Sequence, residues 1–81
     1  MTRTEIMDKI QEICKDVFED EEIVVTEETT AADVDGWDSL THLSLMNEME
    51  EAFDVEFMLD EVIGAAKIGD LVDIIEQRIK A

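Results

Sequence analysis

GWDSLTHLSLMNEMEEAF, residues 36–53, is the stretch on which the fold turns. At about 100° per residue, Leu45, Met46, Met49 and Phe53 fall together on one side, the signature of an amphipathic helix. Leu40 falls almost opposite them, among Ser44, Asn47, Glu48 and Glu51, so one apolar residue is expected on the wet face beside the helix start. Asp38 suits the N-cap, where a carboxylate accepts a hydrogen bond from a backbone N–H one turn in. Ser39 then takes the first helical position, with its hydroxyl near the electropositive helix end. A phosphodiester formed there would be an anion favoured by free N–H groups and the helix dipole. Taken by itself, an Asp-Ser pair at such a place is an ordinary cap.

Upstream, Ile6, Ile10, Ile13 and Val17 follow one helical face, widened by Met7, Cys14 and Phe18, which predicts a helix from about Thr4 to Phe18 with Thr2 or Thr4 as its cap. Between these helices lies a long connection, residues 19–37, rich in Asp, Glu and Thr. Loops of this length need apolar anchors, and Ile23, Val25, Ala31, Val34 and Trp37 are the candidates. Alternation at residues 22–26 is too short and isolated to build a sheet. Downstream, a short third helix is expected within Leu59 to Ala66, with Asp60 as candidate cap and Gly64 limiting it. Ile68, Leu71, Val72, Ile75 and Ile79 predict a last helix from Ile68 to Lys80, with Asp70 in its first turn and Arg78 and Lys80 in its last, as the dipole prefers. The expectation is an all-α fold: a small four-helix bundle of three longer helices and a short third one, a long loop joining the first two, in a single domain over residues 1–81.

Composition narrows the function. With 23 acidic residues against 6 basic ones, the chain carries a net charge of −17. It repels phosphate backbones and anionic lipid heads, which argues against nucleic acid and membrane surfaces and for partners with basic patches. No run approaches the roughly 20 apolar residues of a membrane span. Neither a signal-like N-terminus nor a second cysteine to pair with Cys14 is present, so a cytoplasmic monomer is expected.

Catalysis and metals find little support. His42 is the one histidine; on the helical projection it faces inward near Met49, as a packed core-edge residue rather than a base. No G-x-S-x-G elbow surrounds Ser39. Residues 33–36, DVDG, are a poor calcium loop: the glycine comes fourth instead of sixth, and the twelfth position counted from Asp33 is Ser44. One cysteine and one histidine make no structural zinc site. No metal is expected, and Cys14 reads as a small buried apolar residue.

Gly36-Trp37-Asp38-Ser39-Leu40, followed by a helix closing in Glu50-Glu51-Ala52-Phe53, resembles the acyl carrier protein family. The likeness spans essentially the whole chain, in helix order, loop length and acidity. It implies a non-catalytic carrier for fatty-acid, polyketide or related biosynthesis. Ser39, in the motif with Asp38 and Leu40, would receive 4′-phosphopantetheine from coenzyme A by the action of a separate phosphopantetheinyl transferase, and the arm's thiol would hold an acyl group as a thioester. It also implies docking to acyl- or aminoacyl-activating and synthase enzymes through their basic patches, with Leu40, Leu43, Asn47, Glu48, Glu50 and Glu51 as the surface they meet. Thr41, His42, Leu43 and Ser44 stand where many fatty-acid carriers bring in acidic residues, and Asn47 stands where an apolar residue is usual. Trp37 is more typical of stand-alone carriers in specialised pathways. Two alternatives share the sequence features: an aminoacyl or peptidyl carrier, the D-alanyl carrier included, and an unmodified acidic helical adaptor.

Overall fold

Thr2 starts the chain's first helix through a reciprocal cap. Its hydroxyl accepts the Glu5 N–H at 3.2 Å while the Glu5 carboxylate accepts the Thr2 N–H at 2.8 Å. The computed structural model describes residues 2–80, with helices α1 (Arg3–Val17), α2 (Ser39–Phe53), α3 (Leu59–Gly64) and α4 (Ile68–Lys80), plus one 3-10 turn at Ala31–Asp33. The fold is the all-helical bundle expected. Among the described residues there is no strand, only an isolated bridge between Thr30 and Lys67.

Each long helix buries most of the stripe that its spacing marks out, while Ile13 and Val17 of α1 and Ile79 of α4 stay half-buried at its edge. Ile6, Ile10 and Cys14 of α1 meet Leu45, Met46, Met49 and Phe53 of α2 and Ile68, Leu71, Val72 and Ile75 of α4 in one core. Burying a side chain of this size contributes about 1.5–3 kcal/mol relative to leaving it in water. Burial also pushes the Cys14 thiol up to about 12, so it stays protonated and unreactive. α3 differs, for none of its residues is fully buried.

The long connection is stitched down by side chains. Gln11 on α1 accepts the Val25 N–H at 2.8 Å through its amide oxygen and donates its amide N–H to the Ile23 carbonyl. The alternating residues 23–25 thus satisfy their backbone on a helix instead of a second strand. Val25 enters the core, and Ile23 and Trp37 pack against it, the last with Phe18 at 5.6 Å between ring centroids. Ala31 is exposed, contrary to its expected role as an anchor, because it opens the 3-10 turn and points its small side chain to solvent.

Arg3 clamps the other end of the bundle. Its guanidinium bonds Glu27 in the loop at 2.5 Å and Asp73 on α4 at 2.8 Å, and these partners raise its pKa further. Beside it the loop backbone touches α4: Gly69 N–H donates to the Glu27 carbonyl at 2.8 Å. A Cβ at residue 69 would lie 3.0 Å from that carbonyl oxygen, so any larger residue would push the loop backbone away, and the close approach favours glycine.

The cap of α3 also departs from expectation. Met58 holds the N-cap position, and the Glu61 carboxylate, not Asp60, takes the Met58 N–H at 2.8 Å. Only position 61, three residues after the cap, lets a side chain fold back onto that N–H.

Leu45 and Leu40 separate core from surface on the same helix. Leu45→Ala is expected to lower unfolding free energy by about 2–5 kcal/mol in urea denaturation, whereas Leu40→Ala should change it by less than about 0.5 kcal/mol. Equal losses for the two would contradict this helix orientation.

Candidate functional site

The start of α2 is built by Asp38. Its Oδ1 accepts the N–H of Leu40 and of Thr41, both at 3.0 Å, while the Thr41 hydroxyl lies 2.7 Å from the Asp38 N, whose N–H it accepts. The Thr41 hydroxyl in turn donates toward the Gly36 carbonyl at 2.8 Å. Gly36 sits at φ 87°, the left-handed region that favours glycine, and this turn swings the chain from loop into helix. The Thr41 N–H above all, with the Thr41 hydroxyl and the Leu40 N–H, holds the Asp38 carboxyl below the usual range.

Ser39 follows as the first helical residue and is exposed. No hydrogen bond among the described residues engages its hydroxyl, whereas the hydroxyl of Thr41 is committed to the turn. One expectation needs correcting. Of the free N–H groups expected to favour an anion on Ser39, those of Leu40 and Thr41 are occupied by the Asp38 carboxylate. What remains for such an anion is the Ser39 N–H, for which no acceptor is found among the described residues, and the helix dipole, in a first turn that carries no further acidic side chain.

The residues expected to form the surrounding surface divide. Leu40 is 77% exposed and Leu43 57%. Asn47 and Glu51 are exposed, but Glu48, projected outward from the helical wheel, is half-buried. Glu50 is also half-buried, and its carboxylate accepts the Phe57 N–H at 2.9 Å. The chain turns back at Asp54, in the left-handed conformation, and so brings that N–H within reach.

Two features escaped the periodicity. The Trp37 indole N–H donates to His42 Nδ1 at 3.1 Å, and His42 Nε2 lies 3.0 Å from the Val62 carbonyl oxygen, tying loop, α2 and α3 together. Also, Leu59 and Ile63 of α3 are about as exposed as Leu40. Among the described residues no group of His, Cys, Asp or Glu is placed to hold a metal ion, and no helix is long and apolar enough to cross a membrane.

The family model described as "Phosphopantetheine attachment site" matches residues 8–75. The acyl carrier protein of Streptococcus pyogenes serotype M3 is 37% identical over 75 residues, covering 93% of this chain and 97% of that one. An acyl carrier protein homolog of Mycoplasmopsis pulmonis is 32% identical over 56 residues, covering 69% of this chain and 75% of the relative. The solution NMR structure of a holo acyl carrier protein from Geobacter metallireducens superposes with a TM-score of 0.86 at 36% identity, over 93% of this chain and 86% of that one. The chain belongs to the phosphopantetheine-attachment family, and phosphopantetheine is its prosthetic group. The start of α2 fits such a group: an exposed hydroxyl free of internal bonds, on a capped and rigid turn, with the positive end of the helix dipole toward the phosphate.

The cap carries a pH dependence of known sign. Because the folded Asp38 carboxyl lies below its ordinary value of 3.8, its contribution is complete above 3.8 and is lost as pH falls through the lower folded value. Asp38→Ala should therefore lower the urea midpoint at pH 7, and the gap to the wild type should narrow as pH drops below 3.8. A gap of the same size at pH 7 and pH 3 would contradict the assignment.

Proposed function

We propose that this family member is a non-catalytic acyl carrier that takes its arm on Ser39, with Asp38 and Leu40 completing the attachment motif. The observation that carries the reading is the free hydroxyl of Ser39, exposed at a helix start made by Asp38, on a chain that the family model matches almost throughout. The relatives and the solved neighbour are named as acyl carriers, which favours acyl cargo over aminoacyl cargo.

When bound, the prosthetic group supplies a terminal thiol on which an acyl group is carried. The protein's own residues do the rest. Asp38 and Thr41 hold the turn so that Ser39 meets a transferase in one geometry, without the cost of ordering a loop on binding. Leu40, beside the serine, offers an apolar contact at the centre of the approach. Glu51 and the other acidic side chains around it draw in basic patches on the partner enzymes and set association rate more than residence time. The tether raises the effective concentration of cargo at whichever enzyme is docked. Such a carrier works in the cytoplasm, as a monomer, between the enzymes that load it and those that consume its cargo.

Incubation with coenzyme A and a broad-specificity phosphopantetheinyl transferase is expected to add one phosphopantetheinyl group by intact-mass spectrometry, and Ser39→Ala should take up none. A wild type that stays unmodified with several transferases would favour the adaptor reading instead.

A further inference from the structure

α3 is a short helix whose Val62 packs against the core and which two polar contacts tie to its neighbours. None of its residues is fully buried, and Leu59 and Ile63 are 74% and 75% exposed. From α4, one guanidinium nitrogen of Arg78, Nη2, donates to both carboxylate oxygens of Glu61, at 2.7 and 2.8 Å. The other tie, to α2, is His42. The indole of Trp37 can only donate, so His42 Nδ1 accepts and the ring proton sits on Nε2, which donates to the Val62 carbonyl. That carbonyl lies in the last turn of α3, where backbone oxygens lack helical partners. The N–H four residues on, that of Ala66, is spent on Asp70 at 2.9 Å. His42 thus satisfies an oxygen that the helix itself leaves open. The stacking of the two rings, at 6.0 Å and 24°, keeps the imidazole from rotating.

The tie lies within an apolar surface that runs over both helices. Leu40 and Leu43 flank His42 on α2, and Leu59 and Ile63 flank Val62 on α3; all four are exposed. We propose that His42, locked in its Nε2–H tautomer by Trp37, is a positioning residue that docks the end of α3 onto the first turn of α2. It thereby sets the spacing of the two halves of the apolar surface for the transferase that modifies Ser39. The partner half of this inference rests on the carrier reading above. The transferase is the occupant because it must approach Ser39, whose neighbour Leu40 begins the surface.

Two isosteric variants separate the bonds. Asn at residue 42 places an oxygen where Nδ1 sits, within reach of the indole but too short for Val62. Gln places an amide N–H near Nε2, within reach of Val62, and offers the indole no acceptor at Nδ1. In native-state hydrogen exchange of the full chain, His42→Asn should speed exchange of the amides of residues 62–65 by about fivefold, the effect of one net hydrogen bond. His42→Gln should leave them within about twofold of wild type. Because Trp37 is the only tryptophan, its emission should shift in the Gln variant and not in the Asn variant. With the transferase, His42→Asn should raise KM for the carrier while leaving kcat unchanged, the pattern of lost uniform binding. Unchanged α3 exchange in the Asn variant, or equal loosening in both variants, would overturn the tie. Faster α3 exchange with an unaltered KM would overturn its part in partner recognition. Faster exchange in a chain whose wild type takes no arm would support the tie and sink the carrier reading instead.

Discussion

The arrangement of the site depends on the Asp38 carboxylate gripping the second and third N–H groups of α2, those of Leu40 and Thr41. This contact sets where the helix begins, and with it which residues share a face. Started at Ser39, the helix turns Leu45, Met46, Met49 and Phe53 into the core and leaves Ser39 and Leu40 in water. A start one residue later would rotate nothing already buried but would leave Ser39 in the loop, its hydroxyl free to satisfy the turn as Thr41 now does. The cap and the core stripe are therefore two expressions of one register, and the serine's presentation follows from both.

Charge is distributed so that five of the six basic residues find partners within the molecule. Of the six Lys and Arg in the chain, Arg3 joins Glu27, Asp73 and Glu76, Lys15 joins Glu12, Lys67 joins Glu28, and Arg78 joins Glu61. Lys9 lies over the Phe53 ring at 5.6 Å and reaches the Ala52 carbonyl at 3.4 Å, at the C-terminal end of α2 where a cation suits the dipole. Exposed pairs of this kind add little stability each. Their larger effect is on the surface, since they leave the outward field to the excess carboxylates. A partner meets an almost uniformly negative body with an apolar spot beside the serine, a combination that speeds encounter with a basic enzyme and disfavours acidic ones.

Most of this architecture is legible in the chain because its long helices carry continuous stripes: the 3.6-residue spacing of Ile6, Ile10 and Cys14, or of Ile68, Leu71, Val72 and Ile75, records which side is buried. Local rules fail where a short element offers several equivalent candidates. Around α3 both Asp60 and Glu61 can cap, and only the backbone path at Met58 decides for Glu61. Ala31 is apolar but too small to anchor a loop, and the 3-10 turn carries it outward. Contacts between distant residues are the other blind spot. The wheel places His42 inward, but its two partners, Trp37 and Val62, are chosen by the packing of α3 against α2. Likewise Glu50 is drawn from the wet face by Phe57 only after the chain reverses at Asp54.

Locating the arm on the chain tests the account most directly. Three hydroxyls lie within six residues at the start of α2, those of Ser39, Thr41 and Ser44, and they differ chiefly in how the cap disposes of them. After loading with coenzyme A and a transferase, fragmentation of the peptide spanning the turn should place the phosphopantetheinyl group on Ser39 alone. An arm found on Thr41 or Ser44, or shared among the three, would mean that the Asp38 cap does not select the attachment residue.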